Sequence, residues 1–207
     1  YKMDVRQMLE FHRQHEAKLT VAAIPVPVAL AHEFGVIEVD ANGKMIGFEE
    51  KPKSNPKTIP GRPDFVLASM GNYIFEAKTL VEVLEADAKE PDSKHDFGHN
   101  IIPGLYPSGD VYVYDFSSNT IRGENERSSG YWRDVGTLNS YFASRLDMLS
   151  HPDWLQGDEQ AWPILGKRSC SERLSQAGSA LLPKHSKSWL SAIRPLTPAQ
   201  YQHALYC

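Results

Sequence analysis

Two short segments carry residue types from which a phosphate-handling site can be built. Residues 48–52 read Phe-Glu-Glu-Lys-Pro and set a carboxylate, Glu50, beside an ammonium, Lys51, at the end of a strand-like stretch. Residues 131–137 read Tyr-Trp-Arg-Asp-Val-Gly-Thr and set Asp134 between a strand and a helix. An ionised carboxylate only accepts hydrogen bonds, so it suits the hydroxyls of a sugar. A lysine is a compact cation suited to phosphate, and Pro52 fixes the backbone just after the pair. An aspartate such as Asp134 can help hold Mg2+, or it can cap the helix that follows. A site that handles a sugar phosphate and a nucleoside triphosphate needs those parts. Taken alone, residues 50–52 are the ordinary end of a solvated strand, so the surrounding elements decide between the two readings.

Apolar residues at Val5, Met8, Leu9 and Phe11 predict a helix over 5–16 with Asp4 as its N-cap. The apolar run 19–26 predicts a buried strand ended by Pro25 and Pro27. Segments 35–39 and 45–48 flank Asp40-Ala41-Asn42-Gly43-Lys44, and Asn-Gly between apolar segments predicts a hairpin. Residues 54–63 are proline-rich and read as a loop, 67–75 as a strand, and 79–88 as an amphipathic helix with Thr79 near its start. A short helix over 101–106 ends at 107–109, and a strand follows over 111–116. Residues 117–129 read as a polar loop, and 138–149 as an amphipathic helix. Strands and helices alternate, which predicts an α/β arrangement.

The 207 residues suffice for one domain with a core, and 41% hydrophobic content is a globular composition. No run of eighteen apolar residues and no signal peptide is visible, and the two cysteines, Cys170 and Cys207, imply no disulfide framework. A reducing, cytoplasmic setting without membrane contact is expected. Charge is split: residues 1–164 hold 16 Lys+Arg against 25 Asp+Glu, net −9, and residues 165–207 hold 6 against 1, net +5, together the −4 of the chain. So abrupt a change marks a boundary. The basic tail lacks the aromatic interleaving of a nucleic-acid binder, so no nucleic-acid partner is expected. Scattered histidines show no zinc spacing. The chain starts at Tyr1 and enters a helical pattern almost at once, as expected of a piece of something longer.

The segments 35–40 (FGVIEVD with Phe34), 48–52 (FEEKP), 67–75 (LASMGNYIF), 95–98 (HDFG) and 131–137 (YWRDVGT) occur in the order seen in bacterial glucose-1-phosphate adenylyltransferases, and the chain resembles that family over about residues 1–164. The resemblance implies a Rossmann-like nucleotide-diphospho-sugar transferase fold of class α/β, a mixed sheet with flanking helices, whose N-terminal part is missing. It implies three stretches: 1–150 as the C-terminal part of the nucleotidyltransferase domain, 151–164 as a linker toward a missing β-helix domain, and 165–207 as a divergent tail, frameshifted or disordered. The implied reaction joins ATP and glucose 1-phosphate into ADP-glucose and pyrophosphate for glycogen synthesis. Another sugar-1-phosphate nucleotidyltransferase, using UTP, dTTP or GTP, and a non-catalytic fragment or regulatory binder are the alternatives.

By the same resemblance, Gly35, Glu50, Lys51, Ser69 and Asp96 bind glucose 1-phosphate. Glu50 takes the sugar hydroxyls and Lys51 the phosphate. Asp134 holds Mg2+, and Lys51 and Asp134 carry the catalytic roles. Gly71 is a site of close backbone approach or a bulge. His95 is expected to be structural. His99 and Asn100 stand where many relatives carry Lys and Asp. The family's glycine-rich triphosphate loop has no counterpart in the chain, so the fragment alone is expected to be inactive. Intact relatives are expected to be homotetramers.

Overall fold

The structure, a computed structural model, describes residues 1–121 and 130–150. Along the described residues run α1 (Val5–Gln14), β1 (Leu19–Pro27), β2 (Gly35–Val39), β3 (Met45–Glu50), β4 (Phe65–Phe75), α2 (Ala77–Asp87), α3 (Ile102–Leu105), β5 (Val111–Asp115) and α4 (Leu138–Ser150). They divide into two units: Tyr1–Trp132, which holds all but α4, and a second beginning at Arg133. The expected linker over 151–164, the tail over 165–207 and most of the polar loop over 117–129 lie outside the described residues.

Helix α1 starts where its cap predicts. The Asp4 carboxylate accepts the Arg6 backbone N–H at 3.0 Å, and the Arg6 guanidinium donates back at 2.9 and 2.7 Å. Those bonds hold the Asp4 carboxyl below the usual carboxylate range. Asp4 is tied in turn to Asn119 near the end of β5. Its N–H donates to Asn119 Oδ1 at 2.9 Å, and Asn119 Nδ2 donates to the Asp4 carbonyl at 3.0 Å.

The five strands form one mixed sheet in the order β3-β2-β4-β1-β5. β1 runs antiparallel to β4 and parallel to β5, and β2 is antiparallel to both β3 and β4. β1 lies inside the sheet, and Leu19 to Ala23 are fully buried. Side chains alternate across it: Leu19, Val21 and Ala23 join Ile37, Ile102, Val111 and Val113 on one face. Ala22 joins Met8, Met70, Tyr114 and Phe116 on the other, which α1 covers.

Three details depart from expectation. β1 runs through Pro25 and ends at Pro27, because its β5 partner stops at Ala23 and the missing N–H falls where one side of the strand is already an edge. A 3-10 turn over Val28–Glu33, with no forecast in the sequence, carries the chain to β2. Helix α2 starts at Ala77, and the Thr79 hydroxyl donates to Glu76 at 2.7 Å. The hairpin tip curls toward the far edge of the sheet: Lys44 bridges Tyr112, and the Val113 N–H donates to the Gly43 carbonyl at 2.8 Å.

Candidate active site

The hairpin of β2 and β3 sets Gly35 opposite Glu50. The pair is closed one step further out, where the Lys51 N–H donates to the Phe34 carbonyl at 3.0 Å. A Cβ on Gly35 would lie 2.5 Å from the Phe48 ring and 2.8 Å from Glu50 Oε2. A Cβ on Gly98 would lie 2.6 Å from the same oxygen and 3.3 Å from Asp96 Oδ1. The Glu50 carboxylate is therefore seated between two glycines from distant parts of the chain, with only 20% of its side chain exposed. Lys51 is 61% exposed, and its Nζ stands 3.9 Å from Glu50 Oε1, so its charge faces outward and is only loosely paired.

Lys51 also adopts φ +50°, left-handed backbone that a side chain rarely takes. Such outliers persist where surroundings over-determine them, and they cluster at ligand sites. Here the Lys51 N–H is held by the Phe34 carbonyl, and Pro52 follows directly.

Strand β4 supplies Ser69 and Tyr73 around a bulge. The register with β1 jumps from Val21↔Tyr73 to Ala23↔Ser69, so residues 70–72 oppose Ala22 alone. Gly71 takes φ +72° at that point and its N–H reaches the Ser69 hydroxyl at 3.4 Å, as its bulge reading predicts. Burial pushes the Tyr73 phenol up, the Ser69 hydroxyl opposes that shift as a hydrogen-bonding neighbour, and the charges of Glu50 and Asp96 add to the rise. The Tyr73 ring stacks on Phe97, with centroids 5.5 Å apart. Tyr73 thus joins Ser69, Glu50, Asp96 and Phe97 in one neighbourhood.

Asp96 begins a π-helical turn over Phe97–Ile101 and caps it. Its Oδ1 accepts the His99 backbone N–H at 2.8 Å and lies 3.0 Å from the His99 ring nitrogen. The His99 contacts hold the Asp96 carboxyl low. So one carboxylate oxygen is committed to the turn. Asn100 is equally local: its Oδ1 accepts the Lys94 N–H at 3.2 Å. His95 is held by Asp87, as its structural reading predicts.

The second motif reaches this neighbourhood through Trp132, whose ring lies 5.6 Å from Phe34, the residue before Gly35. Asp134 belongs to the second unit. It is exposed, and its Oδ2 accepts the Gly136 N–H at 3.2 Å. It does not cap α4. Thr137 and Ser140 do that reciprocally, each backbone N–H meeting the other's hydroxyl at 3.1 Å. Asp134 is thus a hard oxygen donor free of the capping role. Among the described residues no group of three His, Cys, Asp or Glu side chains could hold a metal by itself. A single exposed carboxylate such as Asp134 is the kind of oxygen donor that Mg2+ takes when substrate phosphates complete its shell.

Of the six residues expected at the site, Gly35, Glu50, Lys51, Ser69 and Asp96 surround one neighbourhood. Tyr73 and Gly98, inside segments 67–75 and 95–98, join them without any local signal in the sequence.

A mixed sheet whose strand ends gather acidic, basic and glycine residues in this way is the frame of a nucleotide-handling transferase. Residues 1–151 match the nucleotidyl transferase family, and the chain belongs to that family. It is similar to glucose-1-phosphate adenylyltransferase 1 of Vibrio cholerae, with 57% identity over 164 residues. It is similar also to the glucose-1-phosphate adenylyltransferase of Anaeromyxobacter dehalogenans, with 51% over 164 residues. Each match covers 79% of this chain and 40% of the relative. The glucose-1-phosphate adenylyltransferase of Photobacterium profundum is 59% identical over 150 residues, 72% of this chain and 36% of that one. The chain thus spans about 40% of the length of these relatives. Among the described residues no helix is long and apolar enough to cross a membrane.

Proposed function

We propose that this chain carries the sugar-phosphate side of a nucleotidyl transferase that makes ADP-glucose and pyrophosphate from ATP and glucose 1-phosphate. The seating of Glu50 carries the reading. A largely buried carboxylate held between Gly35 and Gly98, with Lys51 turned outward beside it, presents hydroxyl acceptors and a phosphate cation side by side. Identities of 51–59% to proteins named for glucose 1-phosphate and adenylyl transfer support glucose and ATP over other sugars and bases.

In the proposed reaction, a phosphate oxygen of glucose 1-phosphate forms a bond to the α-phosphorus of ATP, and the bond to the departing pyrophosphate breaks in line. Glu50 orients the sugar, Lys51 offsets phosphate charge, and Tyr73 with Phe97 walls the site. Asp134 would hold Mg2+, which when bound neutralises charge on the phosphates. The protein's contribution is positioning and electrostatics.

Equilibrium binding of glucose 1-phosphate, glucose 6-phosphate and inorganic phosphate tests the reading. Preference for the 1-phosphate supports it. Equal binding of all three, through Lys51 alone, overturns it.

A further inference from the structure

The turn that carries Asp96 and Gly98 is fastened from behind by side chains that touch none of the proposed substrate groups. Asp87, in the last turn of α2, receives two bonds. The Ser93 hydroxyl donates to its Oδ1, and His95 Nδ1 lies 2.7 Å from its Oδ2. The Ser93 oxygen in turn accepts the His95 backbone N–H at 3.0 Å. These three contacts close a ring in which each member holds the next. They hold the Asp87 carboxyl below its ordinary range, Ser93 first and His95 second.

His95 pays for its place with φ +54°, the second left-handed side-chain-bearing residue at the border of the site. The residue after it is Asp96, which caps the turn, and two residues further Gly98 meets Glu50 Oε2. Asp87 and His95 also line an open cleft of about 290 Å³ together with Leu84, Ala88, Phe97 and Ile101. Phe97 and Ile101 anchor the turn to the core, and the polar ring fastens the stretch that leads into it.

We propose that Asp87, Ser93 and His95 form a latch whose function is to position the 96–98 turn, and through Gly98 the Glu50 carboxylate, for the sugar phosphate. The three are positioning residues, and the proposal rests on the sugar-phosphate reading above only for its consequence on binding. Releasing the latch lets Gly98 swing away, and Glu50 Oε2 loses the wall that fixes its rotamer.

The test uses the full chain and its Asp87→Ala, His95→Gly, His95→Asn and Glu50→Gln variants. Glucose 1-phosphate affinity is measured by calorimetry, and the Gly98 and Val113 amide resonances by NMR. His95→Gly keeps the left-handed backbone and loses the ring. His95→Asn keeps both a residue tolerant of that backbone and a side-chain donor for Asp87. The latch predicts that Asp87→Ala and His95→Gly weaken binding by about tenfold or more. They displace the Gly98 amide and leave the core amide of Val113 in place, and His95→Asn restores most of the affinity. Wild-type affinity in Asp87→Ala and His95→Gly, alongside a loss in Glu50→Gln, overturns the latch and spares the site. Absence of binding by the wild-type chain overturns the site. The latch is then decided by the Gly98 resonance alone, which must move in His95→Gly and return in His95→Asn.

Discussion

Glu50 owes its position to two residues without side chains, and that separates binding from stability in a testable way. Gly98→Ala meets the flexible end of Glu50 at 2.6 Å and Asp96 Oδ1 at 3.3 Å, and Gly98 has no left-handed backbone to preserve. The substitution is expected to change the melting free energy by less than about 0.5 kcal/mol while lowering glucose 1-phosphate affinity by about tenfold or more. Gly35→Ala meets the Phe48 ring at 2.5 Å and is expected to lose stability as well as affinity. Thermal melts beside calorimetry read both outcomes. Lys51→Gly relieves φ +50° and is expected to raise stability by up to about 1 kcal/mol while weakening phosphate binding; a drop in stability would show that the Lys51 backbone carries no strain. Glu50 and Lys51 were legible in the sequence only because residues 48–52 stand in order with other segments of the family; alone they read as the end of a solvated strand. Gly98 and Tyr73 were not, because their importance lies in what they touch across the chain: Gly98 meets Glu50, and Tyr73 stacks on Phe97.

Elements deliver these residues, and two junctions between elements hold them. Asn119 is 2% exposed, and it pairs with both backbone polar groups of Asp4 and with the Tyr114 hydroxyl at 2.9 Å. Asn119→Ala strands buried donors and acceptors and is expected to cost about 2–3 kcal/mol, read by denaturant unfolding. At the other end of α1, His12 Nδ1 lies 2.8 Å from the buried Thr20 hydroxyl. Burial lowers the His12 pKa, with Glu76 opposing and Arg13 assisting. The unfolded chain, whose histidine titrates near about 6.5, therefore takes up the proton first. This contribution to stability is complete above about pH 6.5 and declines as pH falls toward the folded value. Melting temperature is expected to fall between about pH 7.5 and about pH 5.5, and less so in His12→Gln; equal pH dependence in both would remove His12 from the account. The hairpin was legible from Asn42-Gly43, and α1 from Asp4 and its apolar spacing. The passage of β1 through Pro25 was not, because a proline's tolerance depends on which strands flank it. The β4 bulge was foreshadowed only by Gly71, since register belongs to pairs of strands.

At the scale of the molecule, the chain belongs to the nucleotidyl transferases yet spans about 40% of the length of its adenylyltransferase relatives. The residues proposed for the sugar side lie within the first unit, and Asp134 lies in the second. No segment of the sequence offers a glycine-rich triphosphate loop. Pyrophosphate release from ATP, glucose 1-phosphate and Mg2+ is therefore expected to stay at background, and equally so in Asp134→Asn. Release that disappears in the variant would show a complete catalytic site in this chain. The order of motifs made the family legible, because several short segments at fixed order are far more specific than any one of them. The convergence of Gly35 and Gly98 on Glu50 was visible only in three dimensions. The measurement that bears most directly on this account is a calorimetric titration of glucose 1-phosphate into the chain and its Glu50→Gln variant. Saturable binding to the wild type and a loss of about tenfold or more in the variant are expected. Equal binding by the two proteins would contradict it.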